Sequence, residues 1–478
     1  MAFSWGLQKM KNHFFKPNYF SNYWIIVGSI LSFTILHISY INTPFVNLEW
    51  VYKTGTQYFI TGNQDLLKNY FTFQANPITY SFIVSNFINF FDIDTYWVYR
   101  GPALFGGILL LIALARKENP WLVIIVALNP LVWIYSGRAY SELLALGLMI
   151  FAYEFQYRPI ASGSITLLSG IFKFHTFPII LTNLGLKWIL VNQKNRFKYF
   201  FNNQLLTGSI VLIGALTFFS IYQKLFNVWI VPEIHHEALG FSLRVLINNF
   251  FSYGFYLSGM FFLTIPAFLN TKKFKLKIIL LVPSILLGIT NQNLGEMDFG
   301  SFQQFLGNEI ILLIKIIGFW NFLLCCQIFW KDEESRILLL TILGYILLLS
   351  LTRPANRYLI FVVPFWAILV CQHISLSRMF WLGYVSVLAG LNLFATLYQV
   401  SNATASANMA DWAIQNDVRI NLGGILHSHV GDFSHYDPNS PLIVSLAGAH
   451  FGRILHEEPV HVLGFQIRSY VLTDTNSN

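Results

Sequence analysis

Charge is scarce in this chain. Asp, Glu, Lys and Arg make up 11% of its 478 residues, against roughly 25% in a soluble domain. So thin a set cannot coat a protein of this length, which excludes a water-soluble globule. Cysteine is scarcer still, with only Cys325, Cys326 and Cys371. All three lie within apolar runs, so neither a disulfide framework nor a cysteine zinc motif is supported. Short segments of alternating polarity are absent, and with them the signature of a membrane β-barrel. The first apolar run lacks a small-x-small cleavage site and is too long for a typical signal-peptide core. It reads as an uncleaved first helix behind Lys9, Lys11 and Lys16.

What remains is apolar. Hydrophobic residues are 55% of the chain and the mean hydropathy is +0.55. Runs approaching the ~20 residues needed to cross a bilayer recur throughout. Backbone in lipid must satisfy its own hydrogen bonds, so these runs are helices. The expected fold is an all-α polytopic membrane protein of about thirteen transmembrane helices. Candidate spans are 23–41, 96–115, 120–135, 141–157, 163–173, 176–191, 205–223, 253–270, 278–290, 309–330, 337–351, 358–373 and 379–400. The pair 163–173 and 176–191 reads alternatively as one helix broken near Pro178.

The net charge of +8 fits basic cytoplasmic loops and gives no sign of nucleic acid. With the N-terminus inside, inner loops hold most of the Lys and Arg, including Arg116, Lys117, Arg158, Lys194, Arg196 and Lys198. That asymmetry supports a cytoplasmic N-terminus, and an odd span count then puts residues 401–478 outside. The outer face is the elaborate one. It carries a long first loop, 42–95, and further loops at 224–252 and 291–308. Pro77–Phe91 and Leu239–Phe251 mix polar and apolar residues at near-helical spacing, as juxtamembrane helices do. Two domains are expected. Residues 1–400 form the membrane domain, and 401–478 a small αβ appendage with a helix near Asp411 and a strand near Pro441–Leu446.

Five polar groups stand out against this background. Glu49 sits in Pro44-Phe45-Val46-Asn47-Leu48-Glu49-Trp50. It is either a solvated loop acid or a general base held where a lipid headgroup can reach it. Arg138 and Glu142 flank a tight outer turn and, if that turn is helical, pair with each other; otherwise they bind a polar headgroup. Lys173, among Phe172, Phe174 and His175, either snorkels to the interface or meets an anion. Arg353 and Arg357 share a short outer turn, where positive charge is disfavoured and the guanidinium fork suits phosphate oxygens. Pro232-Glu233-Ile234-His235-His236-Glu237 offers metal-ligand chemistry, but adjacent histidines on a helix point apart. A divalent metal at His235, His236 and Glu237 is therefore a weak candidate, and no motif demands a cofactor.

The ordered set resembles the GT-C superfamily of integral-membrane glycosyltransferases, which use polyprenyl-phosphate-linked sugars. Leu167 to Pro178 looks like that family's apolar-run, Lys, Pro element. Arg357-Tyr358-Leu359 with Pro364 looks like its Arg-Tyr-Leu-x5-Pro element. The likeness is greatest to the protein O-mannosyltransferase-like and lipid A aminoarabinose transferase-like branches. The first loop departs from the family's paired Asp-Glu, since Glu49 is followed by Trp50. The resemblance implies transfer of a sugar from the lipid carrier to a hydroxyl of a lipid, glycan or protein acceptor. Glu49 is then the base and Glu142 a supporting acid or metal contact, with Arg138, Lys173, Arg353, Arg357 and Tyr358 at the carrier phosphate. It also implies a bacterial inner membrane with a periplasmic C-terminus, although an endoplasmic reticulum membrane fits the same topology. Two other readings stay open: a polymerase or ligase using lipid diphosphate-linked glycans, and a lipid or solute transporter.

Overall fold

The computed structural model describes residues 19–45, 49–74, 76–190, 203–229, 232, 242–260, 274–291, 300–351, 356–374, 377–421, 437, 439–446 and 453–474. Arg353, His235, His236 and Glu237 lie outside them. Helices dominate. In chain order they are α1 (Tyr19–Tyr40), α2 (Glu49–Thr61), α3 (Gln64–Phe73), α4 (Thr79–Phe91), α5 (Tyr96–Ala115), α6 (Pro120–Ala127), α7 (Pro130–Ser136), α8 (Ser141–Glu154) and α9 (Pro159–Phe172). Then come α10 (Thr176–Leu190), α11 (Asn203–Phe226), α12 (Leu243–Gly259), α13 (Phe274–Thr290), α14 (Gly300–Phe329), α15 (Glu333–Leu349), a 3-10 turn (Asn356–Phe361), α16 (Val363–His373) and α17 (Arg378–Gln415). Three strands close the chain: β1 (Leu442–Leu446), β2 (Arg453–Val462) and β3 (Phe465–Asp474).

Five helices among the described residues are long and apolar enough to cross a membrane: Asn22–Tyr40, Tyr96–Ala115, Gln204–Phe226, Glu309–Phe329 and a stretch of α17. These helices are compatible with an integral membrane protein. The other expected spans coincide with shorter helices, except that residues 261–270 of the span 253–270 lie outside the described residues. Those helices, of 7 to 17 residues, cover at most about 25 Å of a hydrocarbon layer about 30 Å thick.

One expected span divides for a local reason. The first of the two helices closes at Leu128, and Asn129 caps α7, its side-chain oxygen accepting from the Leu131 N–H at 3.1 Å. Pro130 follows at the first helical position, where no N–H is needed. The segment 120–135 is therefore two helices. The segment 163–191 is also two, because Lys173 leaves helical geometry between α9 and α10.

The segment 42–95 is built largely of helices. α2, α3 and α4 pack together, burying Tyr52, Tyr70 and Tyr80. Beside them α5 crosses α8 at two glycines. A Cβ added at Gly147 would strike the Gly106 carbonyl oxygen, and one added at Gly106 would strike the backbone of Leu143 and Leu144. Small residues let membrane helices approach this closely. The crossing fixes the start of α8 beside the first loop.

The appendage does not begin at a break in the chain. α17 runs through residue 400 and continues to Gln415 as a single helix. The sheet, antiparallel in the order β1-β3-β2, packs on that extension. Ala405, Met409 and Ala413 meet Val444, Val460, Tyr470 and Leu472 in a small core.

Candidate functional site

Two buried acids are held at the turn between α7 and α8, and they differ in one respect. The first is Glu49, which opens α2 and is fully buried. Arg100, one turn into α5, grips it with a fork. Nε donates to Oε1 at 2.8 Å and Nη2 to Oε2 at 2.9 Å. The Ala139 N–H donates to Oε1 at 2.6 Å. Arg100 spends its remaining N–H groups on the carbonyls of Ile41, Thr43 and Pro44 and on the Thr43 hydroxyl, at 2.7–2.9 Å. Both charges are thus hydrogen-bonded and paired, the condition under which burial of an ion pair is tolerated. The pair ties α2, the loop after α1, α5 and the turn bearing Arg138 into one unit.

The second acid is Glu142, in the first turn of α8 and also fully buried. A helix N-terminus favours a carboxylate there. Its Oε1 meets Lys173 Nζ at 2.9 Å and lies 3.9 Å from Arg357 Nε. Its Oε2, Arg357 Nε and His175 Nδ1 are buried with no hydrogen-bond partner among the described residues. Unpaired buried polar atoms are costly and uncommon, and three of them surround one group of charges here.

An aromatic slab holds this group in place. Lys173 Nζ sits 4.8 Å from the centre of the Tyr358 ring and the Arg357 guanidinium 4.9 Å from it. Arg357 Nη2 donates to the Tyr358 hydroxyl at 3.0 Å. His175 stacks on Tyr358 at 4.3 Å and on Phe174 at 4.6 Å. Burial first, then the charges of Lys173 and Arg357, hold the His175 imidazole well below its ordinary range. It is therefore neutral, so the group sets two cations against one carboxylate.

An apolar groove of about 570 Å³ lies between α10, α12 and α15, lined by Thr182, Leu186, Phe250, Leu343, Gly344 and Leu347 among others. Tyr345, next to Gly344, sends its hydroxyl to the Tyr358 carbonyl at 3.2 Å.

The fold brings Glu142, Lys173, Arg357 and Tyr358 together. Arg138 stands in the turn beside them, over the Tyr135 ring at 5.9 Å. The premise for pairing Arg138 with Glu142 fails, because α7 ends at Ser136 and α8 starts at Ser141 with no helix between. Glu142 turns instead to Lys173 and Arg357. Glu49 is a member of the neighbouring, saturated pair. Arg100 was not singled out in the sequence, although a lone arginine inside an apolar span was signal enough. Among the described residues no three His, Cys, Asp or Glu gather as metal ligands. No family model, no curated protein and no solved structure matches this chain.

Proposed function

We propose that this chain is a polyprenyl-phosphate-sugar-dependent glycosyltransferase of the GT-C type. It works at the outer face of a cell membrane, with its N-terminus cytoplasmic and the bacterial inner membrane the favoured setting. The observation that carries the reading is the buried Glu142, Lys173 and Arg357 group, in which Glu142 Oε2 has no hydrogen-bond partner among the described residues. A lipid phosphate is a weak base and leaves without being protonated, so the reaction needs positive charge on it. Lys173 and Arg357 supply that charge, with Arg138 close by. The apolar groove between α10, α12 and α15 suits the carrier's hydrocarbon chain.

Glu142 Oε2 is the oxygen available to an acceptor. The acceptor hydroxyl gives it a proton as its oxygen attacks the anomeric carbon. The bond from that carbon to the phosphate oxygen breaks, and the electron pair leaves with the phosphate. One displacement inverts the sugar carbon. Glu49 is then a positioning residue. Both its oxygens accept from Arg100, and its Oε1 also accepts from the Ala139 N–H.

The test is transfer from a radiolabelled lipid-linked sugar. Glu142→Gln lowers turnover by about 10²- to 10⁴-fold, the usual share of a general base. Undiminished turnover overturns the assignment. Mass spectrometry of the copurified lipid separates the reaction class. A monophosphate-linked sugar supports transfer from a lipid monophosphate, and a diphosphate-linked glycan supports a polymerase or ligase.

A further inference from the structure

The β2–β3 hairpin has a tip that is wrong for water. β2 ends at Val462, β3 begins at Phe465, and these two residues pair across a two-residue turn, Leu463-Gly464. Both turn residues have positive φ, 51° for Leu463 and 83° for Gly464. Such turns favour Asn or Asp ahead of Gly, because a branched apolar residue gains nothing in the left-handed region. Leu463 is nevertheless there, and it is 72% exposed, with Phe465 at 74% and Ile467 at 48%. From Pro459 to Ile467 the hairpin has no Asp, Glu, Lys or Arg. Turn chemistry and solvation both argue against these residues if the tip stands in water.

The position of the tip resolves the conflict. β2 runs down α17 towards the membrane. Trp412 stacks on His456 at 4.8 Å, Asn408 bonds Glu458 at 3.2 Å, and Ser401 bonds the His461 N–H at 3.0 Å. From the second contact to the third the helix advances seven residues and the strand three, about 10 Å each. Leu463 lies two residues further, about 7 Å, level with the region of Leu397. Arg468 of β3, opposite Val460, reaches the Tyr398 ring at 5.1 Å. The lipid-facing surface of α17 ends at the same height. Leu391, Leu393 and Phe394 are exposed, and no further large apolar side chain of α17 is exposed until Ile414.

We propose that the tip Leu463-Gly464-Phe465, with Ile467, inserts into the interfacial layer of the bilayer beside the end of the α17 span and fastens the sheet to the membrane. The occupant is lipid, because the apolar surface of the tip continues that of a membrane-crossing helix. Apolar and aromatic side chains at this depth bind the headgroup and acyl boundary, and Arg468 just above them is placed for the polar side. The inference is independent of the chemistry proposed at Glu142.

Spin labels on the full chain in phosphatidylcholine–phosphatidylglycerol nanodiscs test it. Phe465→Cys and, separately, Leu463→Cys are labelled, with the signal of the unsubstituted chain subtracted. Exposed Glu457 in β2, as Glu457→Cys, is the aqueous reference. The expected result is collision with oxygen several-fold above collision with a water-soluble nickel chelate at both tip sites, and the reverse at Glu457. A tip as open to the nickel chelate as Glu457 overturns the proposal. So does a tip shielded from both reagents, which signifies a protein partner or a second copy. Because both tip side chains are exposed, their substitution leaves the sheet intact, and two sites guard against one that labels badly.

Discussion

Glu49 and Arg100 illustrate how little a charged residue means until its partners are known. The pair is satisfied from both sides, so removing one member strands the other. Glu49→Gln keeps the shape but leaves the Arg100 charge uncompensated, at an expected cost of about 3–5 kcal/mol. Glu49→Met with Arg100→Met removes both charges and recovers much of that loss. Thermal unfolding in detergent measures both. A Glu49→Gln chain that unfolds normally but fails in transfer would return the base assignment to Glu49. His175 gives a second test. Its imidazole is held neutral, so the unfolded chain takes up a proton more readily than the folded one. Stability is therefore fully present above the ordinary value of 6.5 and falls as pH drops below it. His175→Phe flattens that part of the pH profile of the melting temperature.

At the scale of elements, the site depends on how closely two helices approach. α5 supplies Arg100 and α8 supplies Glu142, and they cross where Gly106 faces Gly147. The obstacle to a side chain there is backbone, which cannot rotate away. Gly147→Val is expected to destabilise by about 1–3 kcal/mol or more and to lower transfer by shifting Glu142. Gly28→Val in α1, where nothing lies within 4 Å, is expected to change neither. The Asn-Pro pairs act in a different way. Asn119-Pro120 and Asn129-Pro130 each start a short helix, so an apolar stretch that reads as one span is bent into two. α17 does the reverse. It carries a membrane segment on without interruption into the platform for the sheet.

For the whole molecule, the amino-acid sequence by itself determined the solvent. Scarce charge and repeated apolar runs demand lipid and helix, because only a helix satisfies its own backbone there. Lys173, Arg138, Glu142 and Arg357 were also conspicuous as single residues, since an ionisable group in such surroundings is expensive. Only the tertiary structure decided who pairs with whom. Glu142 and Lys173 are 31 residues apart, Glu49 and Arg100 are 51 apart, and no local spacing rule connects either pair. Whether a buried acid is saturated or has an oxygen to spare depends on those distant partners. That is why Glu49 and Glu142, alike in the sequence as lone acids beside apolar spans, are a tether and a candidate base in the fold.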